Sequence, residues 1–210
     1  SSDVCSSDLE EAEAINDGEI YTIKTLNELK LNPSRDLTCA MIGSFIGHFE
    51  LYGKLIRDGI ITLFKRINKE GGINRRKLRL ICIEDKGNPA LARKITTILR
   101  NKHNISLCIG NMGTRSLLHI LPLMRSNKLS VLFPWGGDSR LRQPDIKGII
   151  NGLGFMEPQL EVLVSHVVEG LRLNKIAIFH SDGNFNTATK EKIMKIMSEL
   201  DVPVKPISTA

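Results

Sequence analysis

A chain of 210 residues that is 41% hydrophobic and 25% charged has the composition of a folded globular protein, long enough for one large domain or two small ones, and is neither disordered nor fibrous. Its formal charge of +6 admits an anionic partner, but Lys65, Arg66, Lys69, Arg75, Arg76 and Lys77 cluster where a helix ends and a turn begins. With 5% aromatics and no nucleic-acid-binding motif, that basic edge reads as solvated and no nucleic-acid partner is expected, and no apolar run approaches the roughly 20 residues of a membrane span.

Residues 1–9 contain the near-duplicate Ser-Ser-Asp-Val and Ser-Ser-Asp-Leu and resemble translated adapter sequence, so they and Cys5 are set aside from fold reasoning. Lacking an initiator Met and a signal peptide, and stopping at Ala210 within what reads as a new strand (202–207), the chain is expected to be a piece of a longer protein. Residues 10–36 form a charged segment with a short helix and the turn signal Asn32-Pro33-Ser34. Residues 37–44 are a buried-strand run. The helix after it carries Leu51, Leu55, Ile56, Ile60, Leu63, Phe64 and Ile67 at helical spacing and ends at Gly71-Gly72. A strand over 77–84 follows, then Asn88-Pro89 as cap and first-turn proline of a helix over 90–101.

Residues 105–116, Ile-Ser-Leu-Cys-Ile-Gly-Asn-Met-Gly-Thr-Arg-Ser, read as strand, tight turn and helix N-terminus, with breaks at Gly110 and Gly113. Thr114 reads as the cap of that helix. The same turn offers free backbone N–H groups and a hydroxyl at the positive end of a helix dipole, which is chemistry for a carboxylate or phosphate. In an open α/β sheet such a turn also lies where ligands bind. A fourth strand spans 129–133. After Pro134-Trp135-Gly136-Gly137 the pattern turns polar and irregular, then reads strand 148–153, helix 157–171, strand 175–180 and helix 188–200. Alternating strands and helices predict an α/β fold with a parallel sheet flanked by helices.

The ordered elements Met41-Ile42-Gly43, Gly47, Tyr52-Gly53, Ile67-Asn68-Lys69-Glu70-Gly71-Gly72-Ile73, Asp85 with Pro89, Ile109-Gly110, Thr114 and Ile176-Ala177-Ile178-Phe179 resemble the type I periplasmic binding proteins. Within these, the chain is most similar to the branched-chain amino-acid (leucine/isoleucine/valine) binding proteins of ABC transporters. The resemblance runs over about 37–200 and its most specific part is Ile-Asn-x-x-Gly-Gly-Ile. It implies the type I fold, with 37–137 a first ligand-binding lobe, 138–147 a crossover and 148–210 the start of a second, incomplete lobe. It implies a small amino acid as ligand, an ABC transporter permease as partner, no cofactor, no metal and no catalysis. It also implies a periplasmic or extracellular location, free or membrane-anchored.

By the same resemblance, Thr114 holds the ligand carboxylate, the Trp135 carbonyl with Gly136 beside it receives the ligand ammonium, Tyr52 flanks the ligand, and Phe185 is the aromatic of the second lobe. Ordinary packing explains Tyr52, Trp135 and Phe185 equally well. The chain departs from the pattern at Gly137, where many members carry a second hydroxyl, and at Asn74 and Asn186, which replace glycines; Asn accepts a left-handed backbone. Asp138 reads as a surface carboxylate, with a counter-charge for the ammonium as its second reading.

Cys39, Cys82 and Cys108 each sit inside a predicted strand and read as core thiols, and His103, His119 and His180 show no metal-ligand spacing, His180 ending a strand near the expected cleft. No G-x-G-x-x-G follows a strand, and Walker A, G-x-S-x-G and H-E-x-x-H are missing, which leaves a Rossmann-like enzyme as a remote reading. The alternative to transport is an extracellular sensing domain of a kinase, cyclase or channel, an option kept open by the segment before Leu37.

Overall fold

The computed structural model describes residues 18–30, 36–173, 175–178 and 184–203, the side chains of 184–188 excepted. The readings for 1–9, for His180 and most of the strand 202–207, and for the side chains of Phe185 and Asn186 lie outside the described residues.

Two seven-residue strands form the centre, β2 (Leu37–Gly43) and β3 (Leu78–Glu84), paired in parallel from Leu37↔Leu78 to Gly43↔Glu84. Around them β1 (Ile20–Tyr21), β4 (Leu107–Ile109), β5 (Ser130–Leu132) and β6 (Ile149–Ile150) complete an all-parallel sheet in the order β1-β3-β2-β4-β5-β6. Parallel neighbours need long crossovers, and these are α2 (Glu50–Lys69), α3 (Pro89–His103) and α4 (Thr114–Arg125). Period-two alternation sorts the core. Cys39, Met41, Leu80 and Cys82 face α2, whose Phe64 is buried among them with Ile56, Ile60 and Ile67 packed alongside. Ala40, Ile42, Ile81 and Ile83 are buried on the alternate face, where α3 packs on β2 and against α4. Asn88 caps α3 as its sequence indicates, accepting from Ala90 N at 2.9 Å, with Pro89 in the first turn.

Before Leu37, residues Ile20–Tyr21 are part of this sheet. Gly18 N donates to Leu80 O at 3.1 Å, β1 pairs with the outer edge of β3, and α1 (Ile23–Glu28) buries Leu26 completely. His103 Nε2 meets Leu26 O at 2.9 Å. A strand of two residues carries no readable periodicity, which is why sequence showed only the short helix. A second difference concerns 148–153, expected to open the second lobe. Ile149–Ile150 instead pairs with β5, with Val131 N donating to Gly148 O at 2.7 Å, and belongs to the first compact unit.

That first unit comprises the chain through Gly136 together with Leu141–Leu153; the second comprises Gly137–Arg140 and the chain from Gly154 onward. In the second, α5 (Met156–Ser165) runs into one π-turn at His166–Gly170, and α6 (Asn184–Glu199) packs against it around Val164, Ile196, Met197 and Val202. Of the strand expected over 175–180, residues 175–178 form none, although Ile176 and Ile178 pack on this core.

The Ile67–Ile73 signature has a local explanation. Asn68 locks the end of α2 to the start of β3, donating to Leu78 O at 2.9 Å and accepting from Leu78 N at 2.7 Å. Gly72 N closes back on Ile67 O at 2.9 Å. Gly72 has φ 76°, and a Cβ there would stand 2.1 Å from Arg76 O. Asn74 takes φ 51° as its side chain permits, and Arg75 takes φ 64°. Gly72→Ala is expected to cost about 2 kcal/mol or more, because it combines backbone strain with a clash against main chain; a denaturation midpoint equal to wild type would contradict this.

Cys39, Cys82 and Cys108 are buried free thiols. Burial pushes Cys39 from the ordinary 9.0 up to about 11, and Cys82 and Cys108 up to about 12. The unfolded thiols ionise first, so their contribution is fully present below pH 9 and is lost as pH rises from 9 towards 11 and 12. In a Cys5→Ser variant, a thiol reagent at pH 8 should label none of the remaining cysteines in the folded protein and all of them in denaturant. Rapid native labelling would show that the strand core is open.

Candidate functional site

All the strands of a parallel sheet end on one edge, and here the candidate residues gather on that edge. The chain leaves β4 through Gly110, with φ 68° and so little space that a Cβ would stand 2.8 Å from Ile60 Cδ1. Asn111 then turns inward. Its Oδ1 accepts from Ile42 N at 3.2 Å and its carbonyl from Trp135 N at 2.8 Å. Met112 N donates to Ile42 O at 3.0 Å and Gly113 N to Trp135 O at 3.2 Å. Residues 111–113 are thus laid between the end of β2 and the loop after β5, with Met112 bridging Trp135 in parallel.

The next helix, α4, begins without a side-chain cap. Gly113, at φ 91°, is its N-cap and Thr114 its first helical residue, which corrects the reading of Thr114 as the cap. Cap preference favours Thr, but only glycine suits the positive φ required one position earlier. The first intrahelical bond is Leu117 N to Gly113 O at 3.0 Å, so the N–H groups of Thr114, Arg115 and Ser116 take no acceptor among the described residues. This end of α4 is electropositive and open.

Thr114, half-buried, adjoins Gly136, where a Cβ would lie 3.3 Å from Thr114 Oγ1 and 2.7 Å from Leu117 Cδ1. A side chain at 136 would crowd Leu117 and narrow the space beside that hydroxyl. Tyr52, in the first turn of α2, is 48% exposed and stacks on Trp135 with ring centroids 5.1 Å apart and planes at 29°. Gly53 sits where a Cβ would be 2.5 Å from Ser44 O, which brings this end of α2 against the loop after β2. Tyr52, Thr114, Trp135 and Gly136 therefore lie on one edge of the first unit, and Tyr52 is not a core residue.

Sequence reasoning missed the buried polar side chains beneath them. Glu84 accepts from Phe45 N and Lys86 N, each at 2.6 Å. Asp85 accepts from Gly87 N and from Ser116 Oγ, each at 2.8 Å. Burial raises the Asp85 pKa above its usual range, and the bonds from Ser116 and Gly87 oppose that rise. The available signal was an acidic pair closing an apolar strand. In the second unit, Asp138 is 6% exposed, not the surface carboxylate expected. Arg140 folds back on it through Nε at 2.9 Å and Nη2 at 2.7 Å, and these bonds hold its carboxyl below the usual range. Its charge is already paired. No group of three or more His, Cys, Asp or Glu among the described residues could hold a metal, and no described helix is long and apolar enough to cross a membrane.

Residues 37–209 match the family described as periplasmic binding protein. The Leu/Ile/Val-binding protein BraC3 of Rhizobium johnstonii is 22% identical over 154 residues, covering 71% of this chain and 41% of its own. Among solved structures, a possible leucine/isoleucine/valine-binding protein from Rhodopirellula baltica superposes with a TM-score of 0.70 at 20% identity, covering 84% of this chain and 47% of that one. A branched-chain amino-acid ABC transporter protein from Thermus thermophilus with bound valine gives 0.69 at 17% identity, covering 79% and 43%. The chain spans less than half the length of these relatives. Its parallel sheet, crossover helices and family match together make it a member of the periplasmic binding protein family with the type I fold.

Proposed function

We propose that the protein is a solute-binding protein which takes up a small amino acid, branched-chain or similar, between two lobes and passes it to an ABC transporter permease in a periplasmic or extracellular setting. The observation that carries the reading is the open N-terminus of α4, with the Thr114 hydroxyl beside Gly136 and the Tyr52–Trp135 pair along the same edge. A carboxylate suits the free N–H groups. An apolar side chain suits the aromatic pair, and the Trp135 carbonyl, which spends one lone pair on Gly113 N, keeps a second for an ammonium. The relatives' names, Leu/Ile/Val-binding among them, support that ligand class. In this reading the first unit is the first lobe, and closure of the second buries the ligand without making or breaking a bond. The alternative reading, an extracellular sensing domain of a kinase, cyclase or channel, uses the same ligand site.

Trp135 is the sole tryptophan, so its emission reports the site. Titrating leucine, isoleucine, valine and a wider amino-acid panel should change it saturably. Thr114→Val should raise the dissociation constant about 10- to 150-fold, the equivalent of one charge-assisted hydrogen bond of about 1.5–3 kcal/mol, while Thr114→Ser retains most binding. Equal affinity in wild type and Thr114→Val would move the carboxylate elsewhere, and no response to any amino acid would refute the ligand class.

A further inference from the structure

We infer that Asp85 is a positioning residue for the carboxylate subsite, acting through Ser116 to set where the first turn of α4 stands; the inference rests on the amino-acid reading above. Asp85 is 1% exposed and every polar group it owns is engaged. Its N–H donates to Gly43 O at 3.0 Å, tying it to the end of β2, and its carbonyl accepts from Asn88 N at 2.8 Å, tying it to the cap of α3. One carboxylate oxygen accepts from Gly87 N and the other from Ser116 Oγ, each at 2.8 Å. Backbone and side chain of this one residue thereby join the ends of β2 and β3 to the cap of α3 and the start of α4, and the side chain makes the bond to α4.

Ser116 is buried in the same helical turn as Thr114. No cap holds that turn, so among the described residues Ser116 Oγ to Asp85 Oδ2 is the one side-chain hydrogen bond that ties it to the sheet edge. Loss of this bond frees the turn that carries Thr114 and the open N–H groups. Asp85 is buried and occupied, so it acts on the ligand through that turn and not by contact. The ligand carboxylate feels any displacement of the turn directly, whereas the ligand side chain does not.

The test compares leucine with leucinol, which lacks the carboxylate, using Trp135 emission and thermal melting on the same samples. Ser116→Ala should weaken leucine binding about five- to tenfold, the range of one lost hydrogen bond, and leave leucinol binding unchanged. Ser116→Thr and Asp85→Asn, which keep a donor and an acceptor across the contact, should hold leucine affinity within about twofold of wild type. Should Ser116→Ala not fold, Ser116→Cys replaces it as a near-isosteric, weaker donor with the same expected loss. Wild-type leucine affinity in the folded Ser116→Ala or Ser116→Cys variant, or equal weakening of leucine and leucinol, overturns the positioning role while the ligand reading stands. Failure of wild type to bind any amino acid overturns both.

Discussion

Strands that run parallel all end on the same edge, and there each backbone leaves its ladder with polar groups that still need partners. This constraint shapes the whole edge. Glu84 supplies acceptors for Phe45 N and Lys86 N, Asp85 for Gly87 N and Ser116 Oγ, and Asn111 for Ile42 N and Trp135 N. An unsatisfied buried group of this kind costs about 1–3 kcal/mol, so each acceptor fixes the loop that it serves. The loops after β2, β3, β4 and β5 are consequently held against one another, and the candidate ligand groups ride on them.

Against this satisfied background, the open start of α4 stands out. Its dipole alone is worth about 0.3–1 kcal/mol to an anion, and up to about 2 where partly buried. A hydroxyl bond to a carboxylate is worth about 1.5–3 kcal/mol, so in the proposed binding mode the Thr114 hydroxyl contributes more than the dipole. Glycine at 113 supplies the φ of 91° at which the helix starts, and glycine at 136 adds no Cβ beside the hydroxyl. Asp138 contributes no free charge, because Arg140 already neutralises it.

The long elements were legible in the sequence because they repeat a period many times. The strands at β2 and β3 and the helices α2 and α3 were read within a few residues, and Ile67–Ile73 marked a turn whose glycine and asparagine positions the structure explains through φ and the Asn68 contacts. The two-residue β1 contains no full period, and only pairing in space defines it, whereas at β6 the strand was read but its pairing with β5 was not. Thr114 was identified for its hydroxyl at the helix start, and only its reading as the cap moves to Gly113, since capping preference says nothing about the φ needed there. The burial of Asn111 and Asp138 was also out of reach, and that of Glu84 and Asp85 was signalled only by an acidic pair closing an apolar strand. Acidic and amide side chains default to the surface, and their partners come from Phe45, Ser116 and Ile42, far away in the chain, or from an Arg140 that must fold back.

In the proposed binding mode the first turn of α4 holds the carboxylate of an amino acid. A crystal structure of the protein with bound leucine or valine tests it most directly. Carboxylate oxygens are expected within about 3 Å of Thr114 Oγ1 and of the free N–H groups at the start of α4, with the aliphatic side chain beside Tyr52 and Trp135. A bound amino acid whose carboxylate lies away from Thr114, with those N–H groups still open, would contradict it.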